Sequence, residues 1–96
     1  PTQYEWWKSL SVINSALTNS SSWQNDTSVA TTLKLPLSGL RTYSSAGYNH
    51  QGLYGNYWSS SPNGIYGYNV NISGTQVNPL NNNNRANGLT VRCLKN

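Results

Sequence analysis

Four side chains of this chain could carry acid–base or nucleophilic chemistry: Glu5, Asp26, His50 and Cys93. Such chemistry needs titratable groups in pairs, placed so that one tunes or orients the other. Glu5 follows Thr2 at the capping-box spacing, which commits its carboxylate to a helix start. Asp26 has no partner near it in sequence, and His50 stands alone in a polar stretch. Cys93 alternates with Leu89 and Val91, so its thiol is expected to face inward as small apolar filler. A Cys93–His50 pair is the one nucleophile–base combination available, and a buried thiol argues against it. Two acids cannot supply the several carboxylates that a hard cation wants. A lone cysteine excludes an internal disulfide and a multi-cysteine zinc site. The expectation is no enzyme, no metal site and no cofactor.

Binding fits the residues better. The stretch 47–87 is built from Tyr48, Tyr54, Tyr57, Tyr66 and Tyr68, with eleven Asn and six Gly. Tyr offers a large contact area at low entropy cost, and Ser, Gly and Asn offer adaptable hydrogen bonds; antibody combining sites use this vocabulary. An aromatic and amide surface also suits sugars, whose rings stack on Tyr or Trp while hydroxyls bond to amides. Residues 42–84 contain no Asp, Glu, Lys or Arg, an odd choice for a surface in water. Turn geometry does not account for the four consecutive amides Asn81–Asn84. The candidate contacts are His50, Tyr54, Asn56, Tyr66, Tyr68, Asn69, Asn71, Asn78, Asn82, Asn83, Asn84 and Asn87.

These residues need a frame. Residues 1–17 read as a helix whose face is Trp6, Leu10, Ile13 and Leu17. Residues 18–32 read as a polar loop with Trp23 as an anchor into the core. Leu33 to Leu40 reads as a short strand that Pro36 confines to an edge. Tyr57–Ser61 reads as a strand, Asn63-Gly64 as a hairpin turn, and residues 65–72 as the return. There Tyr66, Tyr68, Val70 and Ile72 share one parity, which demands either a bulge or partial burial of the tyrosines. A short strand from Thr75, an Asn-rich loop over 79–87 and a last strand over Leu89–Leu94 complete an α+β chain.

Composition narrows the class further. Ninety-six residues make one domain with one modest core. Charged residues are 8% of the chain and aromatics 11%, which argues against charge-driven disorder. No apolar run approaches the ~20 residues that span a bilayer, so direct membrane insertion is not expected. The net charge is +4, but the six cations are scattered and the excess reflects scarce acids. Phosphate binding needs clustered cations, so nucleic acid is not expected as a partner.

An ordered series of motifs then carries a resemblance. Pro1-Thr2-x-x-Glu5-Trp6 is followed by Leu35-Pro36-x-x-Gly39-x-Arg41 and by Gly55-x-Tyr57-Trp58-Ser59-Ser60-Ser61. The series ends on Arg85-x-x-Gly88-Leu89-Thr90-Val91-Arg92-Cys93-Leu94-Lys95. It resembles the Fibrobacter-type major paralogous domain, in the formylglycine-generating-enzyme-like branch of the C-type-lectin-like fold, over essentially the whole chain. That branch supplies the variable proteins of diversity-generating retroelements, in which copying errors at template adenines change Asn codons to others. The resemblance implies a helix packed on a twisted antiparallel meander with long loops, and a variable binding region over about 49–87. It implies a site at the cell surface, outside the cell or on a phage virion. The calcium signatures Glu-Pro-Asn and Trp-Asn-Asp are absent, so calcium-dependent sugar binding is not carried over. Formylglycine generation uses active-site cysteines, and a single inward cysteine argues against it. The family's domain begins with a strand and helix before the Pro-Thr-x-x-Glu-Trp helix, and residues 1–96 are expected to form one domain short of them.

The reading is therefore a receptor-recognition domain that binds a protein or glycan on a cell surface through one Tyr/Asn/Ser face, without calcium. Helix 3–17, Trp58, Leu89, Val91 and Cys93 would be its scaffold. Two rivals are a carbohydrate-binding module of fixed specificity and an inert surface or virion structural domain.

Overall fold

A computed structural model describes residues 1–41, the backbone of 48–49, and 52–93. The elements run α1 (Gln3–Ile13), β1 (Gln24–Asn25), α2 (Val29–Thr32), β2 (Leu40–Arg41), β3 (Tyr48–Asn49), β4 (Tyr54–Asn63), β5 (Tyr66–Ser73) and β6 (Gln76–Asn84). The four-stranded antiparallel sheet has the order β1-β6-β5-β4, and β2 and β3 form a separate ribbon. The protein is a small α+β domain.

The helix start follows the capping-box reading. The Glu5 amide donates to Thr2 Oγ1 at 3.1 Å, and the Thr2 amide donates to Glu5 Oε1 at 2.9 Å. The Thr2 backbone N–H foremost, and the Thr2 side chain after it, hold the Glu5 carboxyl below its ordinary range. The helix ends at Ile13 rather than at residue 17. Asn14 leaves helical geometry, takes the Ala16 amide on Oδ1 and donates from Nδ2 to Asp26 Oδ2 at 2.7 Å. Such local side-chain bonds compete with helix continuation. Leu17 still reaches the core, but from a turn.

Asp26 is the second fastener. Its Oδ1 accepts from the amides of Ser28 at 2.8 Å and Val29 at 2.7 Å, so it caps α2 from outside. Burial pushes this carboxyl up, but the bonds from Val29, Asn14 and Ser28 together draw it below its ordinary 3.8. α2 closes with Lys34 at φ 54°, the Lys34 amide bonding to Thr31 and the Leu35 amide to Ala30, a Schellman close without glycine.

The core lies between α1 and one face of the sheet: Trp6, Leu10, Leu17, Val29, Leu35, Tyr57, Val70, Ile72 and Val77. Trp6 packs against Tyr57 with ring centroids 5.9 Å apart, and its indole N–H donates to the Trp58 carbonyl at 3.0 Å. Burial raises the Tyr57 phenol above its ordinary value; its hydroxyl donates to the Pro36 carbonyl at 2.6 Å.

Two irregularities shape the sheet. Asn69 pairs with Asn81 and Asn71 with Asn78, so Pro79 and Leu80 stand opposite Val70 alone. That bulge accommodates a residue with no amide hydrogen to give. Between Trp58 and Pro62 the β4 strand carries extra residues. There Ser60 donates its amide to the Pro1 carbonyl, and Ser61 Oγ accepts the Gln3 amide, docking the helix start on the strand.

Several expectations are corrected. The hairpin turn is Gly64-Ile65, because Asn63 already pairs with Tyr66; Gly64 takes the positive φ of 59°. Residues 33–39 form no strand; Leu35 is buried in an irregular run that leads to β2. No last strand runs through Leu89–Cys93. Gly88 bridges Arg41, and Thr90 bridges Tyr57 in parallel, which turns this segment across the edge of β4. Val91 is therefore 65% exposed and Cys93 is exposed rather than inward. Leu94 lies outside the described residues. Trp23 is no core anchor; it is 39% exposed and leans on Tyr54.

Candidate binding face

Strand alternation gives the sheet two unlike faces, since cross-strand partners point the same way. Tyr57, Val70, Ile72 and Val77 point at the helix. The intervening positions carry amides. Asn56 pairs with Asn71, which pairs with Asn78; Trp58 pairs with Asn69, which pairs with Asn81; Gly67 pairs with Asn83. The face opposite α1 is thus a layer of asparagines flanked by aromatics. Trp58 lies on Gly67, where an added Cβ would come within 2.8 Å of its ring. At the other end Trp23, which precedes β1, reaches Tyr54 on β4, with centroids 5.6 Å apart and planes inclined by 42°.

The amides are partly satisfied by one another. Asn81 Nδ2 donates to Asn69 Oδ1 at 3.2 Å, and Asn87 Nδ2 to Asn83 Oδ1 at 2.7 Å. The Leu80 amide, inside the bulge, donates to Asn78 Oδ1. Among the described residues three buried side-chain atoms have no hydrogen-bond partner: the Trp7 indole nitrogen on α1 and, on this face, Asn56 Nδ2 and Asn71 Oδ1. The last two belong to cross-strand partners, and both residues line a pocket of ≈ 260 Å³ together with Trp23, Leu40, Tyr54 and Asn83. No lining residue carries a formal charge.

The structure separates the sequence-predicted contacts. Tyr54, Asn71, Asn83 and Asn87 lie half-buried on or beside the amide face. Asn56, Asn69 and Asn78 belong to the same face but are buried, at 1%, 1% and 5% exposure, so they are its floor and not exposed contacts. Tyr66, Tyr68, Asn82 and Asn84 have the helix-side parity, at the hairpin tip; Tyr66, Asn82 and Asn84 are exposed and Tyr68 half-buried. β5 itself alternates without a bulge, the extra residue lying on β6, so Tyr66 and Tyr68 share the helix side with Val70 and Ile72, and the half-burial of Tyr68 answers the parity conflict. Arg85 fixes this tip by donating to the carbonyls of Gly64 at 2.6 Å and Tyr66 at 3.2 Å. His50 lies outside the described residues.

Sequence reasoning passed over Trp23, Leu40 and Asn81 as site residues. Trp23 did carry a signal: it sits in the polar run Asn19–Asp26 with no apolar residue at strand or helix spacing. Asn81 was hidden by the bulge, which moves it onto the amide face.

Among the described residues no group of three His, Cys, Asp or Glu could hold a metal, and no helix is long and apolar enough to cross a membrane. Comparison with curated proteins and with solved structures gives no match. A family model described as a domain of unknown function, DUF8237, matches residues 8–94. The match takes in α1 beyond its first turn and every strand of the sheet, so the chain belongs to the DUF8237 family.

Proposed function

We propose that this chain is a recognition domain. It binds a protein or glycan on a cell surface through the amide face and the adjoining hairpin tip, without calcium and without catalysis. One observation carries the reading: the face opposite the helix is made of amides and aromatics that close an uncharged pocket over two unpartnered polar atoms. Buried amides left unpaired cost stability, so a face built this way is better explained by a partner than by packing. The C-type-lectin-like fold and the diversified origin of residues 49–87 belong to the same proposal. Their support is the motif series together with the cap at Thr2 and Glu5 that heads it.

The test is a binding screen on glycan and cell-surface protein arrays. The native chain is compared with a variant in which Tyr66, Asn82, Asn83 and Asn84 are alanine. The reading expects selective hits that the variant loses while keeping its fold. Hits shared by both, or none at all, would count against it. Deep sequencing of the coding stretch for 49–87 in a natural population addresses diversification: changes concentrated at Asn codons support it, and uniform change does not.

A further inference from the structure

We infer that the pocket formed by Trp23, Tyr54, Asn56, Asn71 and Asn83 is a subsite for one uncharged sugar ring, an inference that rests on the recognition role proposed above. At ≈ 260 Å³ it lies just below the range of pockets that take drug-sized ligands, which suits a single ring. Asn56 is 99% buried by its 1% exposure, yet its Nδ2 donor has no partner. Across the rung Asn71 is half-buried, but its Oδ1 is a buried acceptor that likewise has no partner. The site therefore asks for one group that accepts from Asn56 and donates to Asn71.

That demand selects among chemistries. A carboxylate or phosphate accepts only and would set its charge against Asn71 Oδ1. An ammonium donates only and leaves Asn56 unanswered. A peptide group has both functions, but a trans peptide points its N–H and C=O in opposite directions, away from two side chains that converge on one pocket. A hydroxyl donates and accepts at a single oxygen. Beside the amides, the inclined rings of Trp23, 39% exposed, and half-buried Tyr54 line the pocket as an aromatic wall. A sugar has both parts: hydroxyls on its rim and a C–H face for the wall.

The probe set is a panel of neutral methyl hexopyranosides and N-acetylhexosaminides, with glucuronic acid and glucose 6-phosphate as charged controls. The readout is the Trp23 indole and Asn56 side-chain amide resonances of the whole chain. Expected are saturable shifts of both by at least one neutral sugar and not by the charged controls. Trp23→Ala, a change at an exposed ring, should weaken that affinity about tenfold or more at unchanged melting temperature. One member of the deoxy series should lose at least tenfold, because a site built for a hydroxyl rejects the analogue that lacks it. If sugar binding survives Trp23→Ala, the pocket is not the subsite and the inference is overturned. Equal binding of the charged sugars overturns it too. If no sugar shifts these resonances and only bound water is detected at Asn56, the inference falls. The recognition role then stands or falls separately, on the array screen.

Discussion

The two faces of one sheet follow opposite rules. On the helix side, Tyr57, Val70, Ile72 and Val77 are at most 1% exposed and pack on Trp6 and Leu10. On the other side, the alternate positions of the same strands carry Asn56, Asn69, Asn71, Asn78, Asn81 and Asn83. The first face gains stability from apolar area removed from water, at roughly 25 cal/mol per Å². The second buries amides, and an amide repays its burial only when hydrogen-bonded. Asn69, Asn81 and Asn83 meet that condition; Asn56 Nδ2 and Asn71 Oδ1 do not. Stability thus rests on one side of a single sheet, and the recognition role proposed above falls to the other.

The division has consequences of graded size. The largest belongs to the helix side: Tyr57→Ala should cost about 3–5 kcal/mol in denaturant unfolding, as for other large buried aromatics. A loss under 1 kcal/mol would mean that the apolar face does not dominate stability. Next comes the carboxylate that ties α1 to α2. The folded pKa of Asp26 is depressed, so its contribution is complete above the unfolded value. It is lost as pH falls through the folded value. Stability should hold from neutral pH to about 4 and decline below it. Asp26→Ala should cost about 1–3 kcal/mol at pH 7, since it leaves the Val29 amide unpaired, and should flatten that decline. An acid limb unchanged in the variant would assign it elsewhere.

On the amide face the sensitive place is where an aromatic packs. Gly67→Ala should cost about 1–3 kcal/mol, because the new Cβ must displace the Trp58 ring. Near-native stability would show that this ring moves freely. Smaller still is the effect of jointly replacing Tyr66, Asn82, Asn83 and Asn84 by alanine. Three of the four are exposed, so the melting temperature should move by only a few degrees, the equivalent of less than about 1 kcal/mol.

Much of the helix side was legible in sequence. The Thr2–Glu5 spacing marked the helix start, and Trp6, Leu10 and Leu17 marked the core, because capping and apolar periodicity act locally. The β4–β5 hairpin was legible from its glycine. What escaped notice depends on contacts distant in sequence. The helix stops early because Asn14 bonds to Asp26, twelve residues on. Leu89, Val91 and Cys93 alternate as a strand should, yet Gly88 and Thr90 bridge two different partners, and the alternation buries neither Val91 nor Cys93. For the site, composition pointed to Asn and Tyr but could not divide them between faces. One bulge at Pro79–Leu80 shifts the register of Asn81–Asn84 against β5, and no local signal sets that shift.

The most direct test of this division compares two neighbouring rungs by equilibrium unfolding: Asn56→Ala on the amide face and Ile72→Ala on the helix side. Ile72 is fully buried and should cost about 2–5 kcal/mol. Asn56→Ala removes a donor that is already unpaired, so stability should stay within about 0.5 kcal/mol of the native chain or rise. A loss of about 2 kcal/mol or more for Asn56→Ala would contradict the account, because the amide face would then be framework like the other.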